Sequence, residues 1–251
     1  MAGHNKWSKV KRLKGALDQK RGKLFSKLAK EITVAARSGG GDVGANPRLR
    51  SAVLAAKAQS MPGDNIARAI QRGTGEGADR ATFEELLYEG YAPGGVALLI
   101  EVATDNKNRT VADLRLIFSK NAGNLAATGA VGYLFRRKGQ ITVPRGGIEE
   151  DPLIELALEA GAEDVNSDDE HFVITTAHDQ LYAVAETLKT AGVVTDSQKL
   201  TYIPDSTLHI GDAQTAAQVI RLCEALEEND DVQSVHANFE VPEEVLAQVS
   251  P

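Results

Sequence analysis

Apolar positions follow a helical period through the first third of the chain and a strand-like period after it. From about Lys20 to Arg37, Leu24, Phe25, Leu28, Ile32 and Ala35 share one arc at ~100° per residue. Lys20, Lys23, Lys27, Lys30 and Arg37 share another. This predicts a helix that packs by one face and carries cations on a second. Ser38 before Gly39-Gly40-Gly41 stops it. Asn46, a good cap, and Pro47, suited to a first turn, open a second helix. Leu49, Val53 and Leu54 form its apolar side, and Met61-Pro62-Gly63 breaks it. A third short helix, Asn65 to Arg72, is capped by Asp64, turns Ile66 and Ile70 inward and sets Arg68 and Arg72 one turn apart. Gly73 to Gly77 reads as a linker.

From about Ala81 the period changes. Leu86 to Tyr91 and Val96 to Ala103 read as strands around the turn Ala92-Pro93-Gly94-Gly95. The polar loop Thr104 to Thr110 precedes a helix from Val111 to Lys120, with Thr110 and Asp113 as a capping box. Val131 to Arg136 and Gln140 to Val143 suggest a hairpin. Helix Pro152 to Ala160, strands near Ala162–Val165 and His171–Thr176, helix Asp179 to Ala191 and strand Val193 to Tyr202 follow. Strand-like Thr207 to Ile210, helix Ala213 to Glu228 and strand Val232 to Val241 complete the series. Neither residues 81–122 nor residues 206–241 supply a two-layer core alone, so the two are expected to pair. The fold class is then α+β and multidomain, a basic helical bundle followed by two α/β sandwich domains, one inserted in the other. The expected units are residues 1–78, residues 79–130 with 206–251, and residues 131–205; sequential domains are the alternative.

Charge sharpens this picture. The net charge of the 251 residues is only -7, but it is +12 over residues 1–75, +1 over 76–147 and -20 over 148–251. Charge per domain is what matters for partners, and one end is built for a polyanion. Residues 1–22 form a basic arm with Lys6, Lys9, Lys11, Arg12, Lys14, Lys20 and Arg21 against Asp18 alone. Trp7 within it is either a stacking surface for a base or an apolar plug. The single cysteine, Cys223, excludes an internal disulfide or a multi-cysteine metal site, and its apolar surroundings mark a core thiol. The longest aliphatic run, Val96 to Ile100, is too short to cross a bilayer. Met1 leads into a polar basic segment, so a cytoplasmic location is expected.

Chemistry of catalysis is missing from the pattern. The five histidines form no HExxH pair, Gly22-Lys23 is followed by Leu24 rather than a phosphate-loop hydroxyl, and no GxSxG elbow occurs. No catalytic residue, metal site or cofactor is expected, nor a membrane or small-molecule substrate. Asp105, Asn106, Asn108 and Arg109 precede a helix N-terminus; they either meet an anion or cap their own helix.

Several segments in fixed order carry a resemblance: MAGHNKWSKVKR, DQKRGKLFSKL, GGGDVGANPRLR, NIARAIQRG, YEGYAPGGVALLIE, TDNKNRTVADLR and GNLAATGAVGYLF. Together they resemble the YebC/PmpR family of probable transcriptional regulatory proteins, related to mitochondrial translational activators of cytochrome oxidase. The resemblance implies a helical domain plus two α/β domains and binding to DNA. It also implies, as the alternative, a translation factor on ribosomal or messenger RNA with the ribosome as partner. A protein-interaction scaffold is a second alternative. Carried over by motif and charge, the nucleic-acid-binding candidates are His4, Lys6, Trp7, Lys9, Lys11, Arg12, Lys14, Lys20, Arg21, Lys23, Lys27, Lys30, Arg48, Arg50, Arg68 and Arg72. Tyr88, Tyr91, Asn106, Asn108 and Arg109 are secondary anion or partner contacts. Asn5 stands where the family usually has Ser, and Leu13 where a basic residue is common, which slightly weakens the arm.

Overall fold

The computed structural model describes residues 19–76, 83–168 and 170–249. In chain order the elements begin with α1 (Gln19–Gly39), α2 (Pro47–Ala58) and α3 (Gly63–Thr74). Then come β1 (Glu84–Tyr91), β2 (Ala97–Thr104), α4 (Lys107–Lys120), β3 (Asn124–Leu125) and β4 (Phe135–Pro144). Next are α5 (Glu150–Glu159), β5 (Asp164–Ser167), β6 (His171–Ala177), α6 (Leu181–Thr190) and β7 (Ser197–Pro204). The series closes with β8 (Leu208–His209), α7 (Ala213–Glu227), β9 (Val232–Ala237), β10 (Phe239–Glu240) and α8 (Glu243–Val249).

The three N-terminal helices pack around Ile32, Ala35, Leu49, Val53, Ala56, Met61 and Ile66. Asn46 does more than cap α2. Its Oδ1 accepts from the Leu49 amide at 3.0 Å while its Nδ2 donates to the carbonyls of Ala35 and Gly40. One buried amide thus joins the end of α1 to the start of α2, satisfying groups that helix ends leave open. At Gly73 any Cβ would strike the Thr33 carbonyl of α1, so this glycine lets α1 and α3 approach closely. Three expectations change here. Leu54 lies 53% exposed rather than on the packed side. The cap of α3 is Pro62, with Asp64 inside the first turn. The helix also runs past Arg72 to Thr74.

Two four-stranded antiparallel sheets follow, in the orders β3-β1-β2-β9 and β5-β6-β4-β7. The first therefore draws its strands from both sides of the second. Leu98, Ile100 and Val102 of β2 pack with Leu114 and Phe118 of α4 and with Val219, Leu222, Cys223 and Leu226 of α7. The second sheet has its own core of Ile141, Val143, Phe172 and Ile174 against Leu153, Leu181, Val184 and Leu188. A smaller cluster of Ala97, Leu99, Val131 and Phe135 joins the sheets. Beside it the Tyr202 ring stands edge-on to His236, whose Nε2 lies 2.8 Å from Glu101.

The expected hairpin around Gly139 is instead one continuous strand, β4. Gly139 pairs with Thr176 on one side and Leu200 on the other. It is glycine because the Thr176 hydroxyl and the Leu181 side chain of α6 occupy the space of a Cβ. Glycine in a strand often marks such a close approach rather than a turn. The expected strand to Val241 is interrupted at Asn238, whose side chain accepts from the Ala97 amide at 2.7 Å. The chain then pairs β10 with β8 in parallel. Helix α8, which no sequence pattern had marked, adds Leu246 to the central core.

Gly139→Ala should destabilise the protein by about 1–3 kcal/mol, the usual cost of overpacking a filled core. A urea midpoint shifted down with an unchanged m-value would register it. A neutral result would mean that α6 yields at this point.

Candidate nucleic-acid interface

His4, Lys6, Trp7, Lys9, Lys11, Arg12 and Lys14 lie outside the described residues, and Lys20 and Arg21 lie on α1 with side chains outside them. The remaining candidates fall into two groups.

The lysine row of α1 meets the end of α7 instead of standing clear of the later domains as expected, with Lys23 still exposed and Lys27 and Lys30 half-buried. Lys23 Nζ donates to the Glu228 carbonyl at 3.1 Å and Lys27 Nζ to the Glu227 carbonyl at 2.6 Å. Lys30 Nζ donates to the Asp230 carbonyl at 2.7 Å and forms an ion pair with Asp231 at 2.8 Å. The physical reason is the end of α7. Its last carbonyls have no partner within the helix and carry the negative end of its dipole, yet its last turn holds no basic residue. The cations come from α1 instead.

Asp231 is the centre of this contact. Its side chain is only 5% exposed. Besides Lys30 it receives Arg109 Nη2 and the Thr110 hydroxyl, each at 2.8 Å, and the Thr104 hydroxyl at 3.1 Å. Burial alone would raise the pKa of this carboxyl, but the hydrogen bonds from Lys30, Arg109 and Thr110 outweigh it and pull it down to about 2. The polar loop before α4 is thereby accounted for. Asn106, not Thr110, is the helix cap, accepting from the Arg109 amide at 3.1 Å. Arg109 is held by Asp105 and Asp231. Asn108 is exposed on the first turn. The loop therefore caps its own helix and closes on Asp231.

Two of the arginines are also engaged internally. Arg48 bridges Glu31 of α1 and Glu85 of β1, at 2.8 and 2.6 Å. Burial opposes its charge, but the hydrogen bonds to Glu85 and Glu31 hold its pKa above the ordinary arginine value. Arg50 donates to the carbonyls of Val43 and Gly44 and approaches Glu186 of α6 at 3.7 Å. Arg68 and Arg72 differ. Both are exposed on α3. Arg68 bonds within its own helix, to the Asp64 carbonyl and Asn65. They border a groove of about 200 Å³ between α1 and α3 that no carboxylate lines among the described residues.

Tyr88 packs against the central core, and burial raises its pKa. The Tyr91 hydroxyl donates to the Ala130 carbonyl at 3.1 Å. Between them lies Glu89, which the sequence did not single out. Its buried carboxylate accepts from the amides of Gly129, Val131 and Gly132 at 2.7, 2.6 and 2.8 Å. Burial would raise its pKa, but these amides together lower it. Two quoted motifs are thus halves of one structure, a carboxylate on β1 and the amide loop that cradles it. Asp231 was missed because it ends the acidic run from Glu227, and such runs usually mark a solvated surface.

Among the described residues no group of three or more histidine, cysteine or carboxylate side chains could hold a metal ion, and no helix is long and apolar enough to cross a membrane.

Asp231→Asn should cost about 3 kcal/mol at pH 7, because Lys30 and Arg109 lose a buried partner. The folded pKa lies below the unfolded one, so the wild type holds this contribution above about pH 4 and loses roughly 2 kcal/mol of it as pH falls through 2. Denaturant melts of both proteins should converge over that range. Glu89→Gln should cost about 2 kcal/mol, since an amide NH2 would meet backbone donors. A melting temperature equal to wild type would contradict the cradle.

The TACO1/YebC protein N-terminal domain matches residues 5–76, and the TACO1/YebC second and third domain matches residues 83–239. A "Probable transcriptional regulatory protein" of Rubrobacter xylanophilus is 54% identical over 250 residues, covering 100% of both chains. One of Aquifex aeolicus is 51% identical, covering 99% of this chain and 100% of its own. The crystal structure of a conserved hypothetical protein from Aquifex aeolicus superposes with a TM-score of 0.84 at 52% identity, covering 91% of this chain and 94% of the other. By sequence over nearly its whole length, and by fold, this chain belongs to the TACO1/YebC family.

Proposed function

We propose that the protein is a nucleic-acid-binding regulator of gene expression with no enzymatic activity of its own, acting in the cytoplasm on DNA through phosphate contacts of its basic N-terminal domain. The observation that carries this reading is the charge of +12 in residues 1–75, opposed by -20 in residues 148–251. Such a domain releases counterions when it neutralises a phosphate backbone. The exposed Arg68 and Arg72, beside a groove that no carboxylate lines among the described residues, support the same reading. So do the relatives named as transcriptional regulatory proteins.

RNA, including ribosomal RNA, is the second reading, and the position of α1 favours it. The longest helix of the basic domain turns its lysine face onto α7, so it is not presented as a recognition helix for a major groove. Contact by phosphate and shape suits RNA.

Arg68→Gln with Arg72→Gln should leave stability nearly unchanged, since exposed charges contribute little. It should flatten the slope of log K against log salt by roughly 0.7–0.9 per arginine, depending on strand type. Anisotropy of labelled duplex DNA and of structured RNA, at several salt concentrations, measures both. No binding of either by the full chain would refute the proposal, and an unchanged slope would remove α3 from the interface.

A further inference from the structure

The lysine row of α1 is a ready phosphate-binding stripe that already has an occupant. Lys23, Lys27 and Lys30 stand at i, i+4 and i+7, spanning about 10 Å along one side of the helix. Their acceptors come from the end of α7 and the turn after it: the carbonyls of Glu227, Glu228 and Asp230, and the Asp231 carboxylate. These oxygens present to the lysines what a phosphate backbone would present, a short row of negative oxygens.

We infer that this contact is autoinhibitory: the end of α7 occupies the α1 lysines, and a nucleic-acid backbone competes with it for them. The inference rests on the nucleic-acid reading above. Three features of the contact support competition. First, a helix-terminal carbonyl carries only part of a negative charge, whereas each phosphate carries a full one and forms the stronger, charge-assisted hydrogen bond. Second, the contact is graded. Lys23 is exposed, Lys27 is half-buried, and Lys30 is the most firmly held, by Asp231 at 2.8 Å. An incoming strand can therefore displace the contact from its Lys23 end. Third, Lys23 and Lys27 bind backbone carbonyls at the outer end of the contact, so their release exposes polar groups that water accepts. Arg48 and Arg50 tie α2 to Glu85 and Glu186 away from this row. Lys23 and Lys27 can thus change partner while the helical bundle and the Lys30–Asp231 ion pair stay in place.

The test uses charge reversal at exposed positions of the α7 end, leaving Asp231 in place. In the full-length protein, Glu228→Lys with Asp230→Lys should repel the α1 lysines and raise affinity for a labelled single-stranded RNA or duplex DNA about tenfold at low salt. The salt slope should steepen by roughly 1.4–1.8, the contribution of two freed lysines. Added positive charge could raise affinity by itself, so the same reversal is made with Lys23→Gln and Lys27→Gln present. There the gain should fall below about twofold, a coupling that independent charges do not show. Equal gains in both backgrounds, or no gain in a variant whose circular dichroism melt matches wild type, would overturn the inference while leaving the nucleic-acid reading intact. Failure of the wild type and every variant to bind would overturn both.

Discussion

The buried carboxylate of Asp231 is the constraint on which the arrangement of the helical and central domains depends. A charge removed from water is tolerated only when paired and hydrogen-bonded, and removing one partner leaves the rest uncompensated. Asp231 draws its donors from Lys30 of α1, Thr104 at the end of β2, and Arg109 and Thr110 at the start of α4. Its own carbonyl accepts from the Ala103 amide at 2.9 Å. One residue thus fixes the entry to β9, the course of the polar loop and the seat of the basic helix. These pieces are far apart in sequence, so the site exists only when all are folded together.

Glu89 solves the same problem in another way. Its donors are backbone amides of the loop leading into β4, so the compensation of its charge sets the path between the two sheets. The two carboxylates hold complementary joints. Asp231 ties the helical domain to the central sheet, and Glu89 ties the central sheet to the chain that enters the second sheet. Neither is a surface acid, although Asp231 follows a run of exposed and half-exposed polar residues and Glu89 lies on a strand whose first residues, Glu84 and Glu85, are exposed.

Charge segregation therefore acts inside the molecule as well as outside it. Several of the N-terminal cations meet acidic or carbonyl groups of the later domains: Lys30 with Asp231, Arg48 with Glu85, and Arg50 with Glu186. The outward-facing remainder, with Arg68 and Arg72 on α3, is smaller than the raw count implies. A basic surface assembled this way is coupled to the fold, because the same residues that would meet phosphate also hold domains together.

The amino-acid sequence by itself determined most of the helices and strands, because these follow from apolar periodicity, capping residues and breakers within a few residues; it split β4 into a hairpin and left α8 unmarked. Asn46-Pro47 opened α2 as expected, and the helix of residues 213–227 was legible almost to its ends. Its motifs also sufficed for the family. It did not determine what lies over a glycine or what receives a lysine. Gly139 looked like a turn because Leu181 and Thr176, which fill the space beside it, come from elsewhere in the chain. Lys23, Lys27 and Lys30 formed a cationic stripe on α1 in the sequence, and only the tertiary structure decided that the stripe faces α7. The reason is that the carbonyls at a helix end and the depressed pKa of a buried acid are met only by assembled neighbours, some 200 residues away from the lysines that answer them.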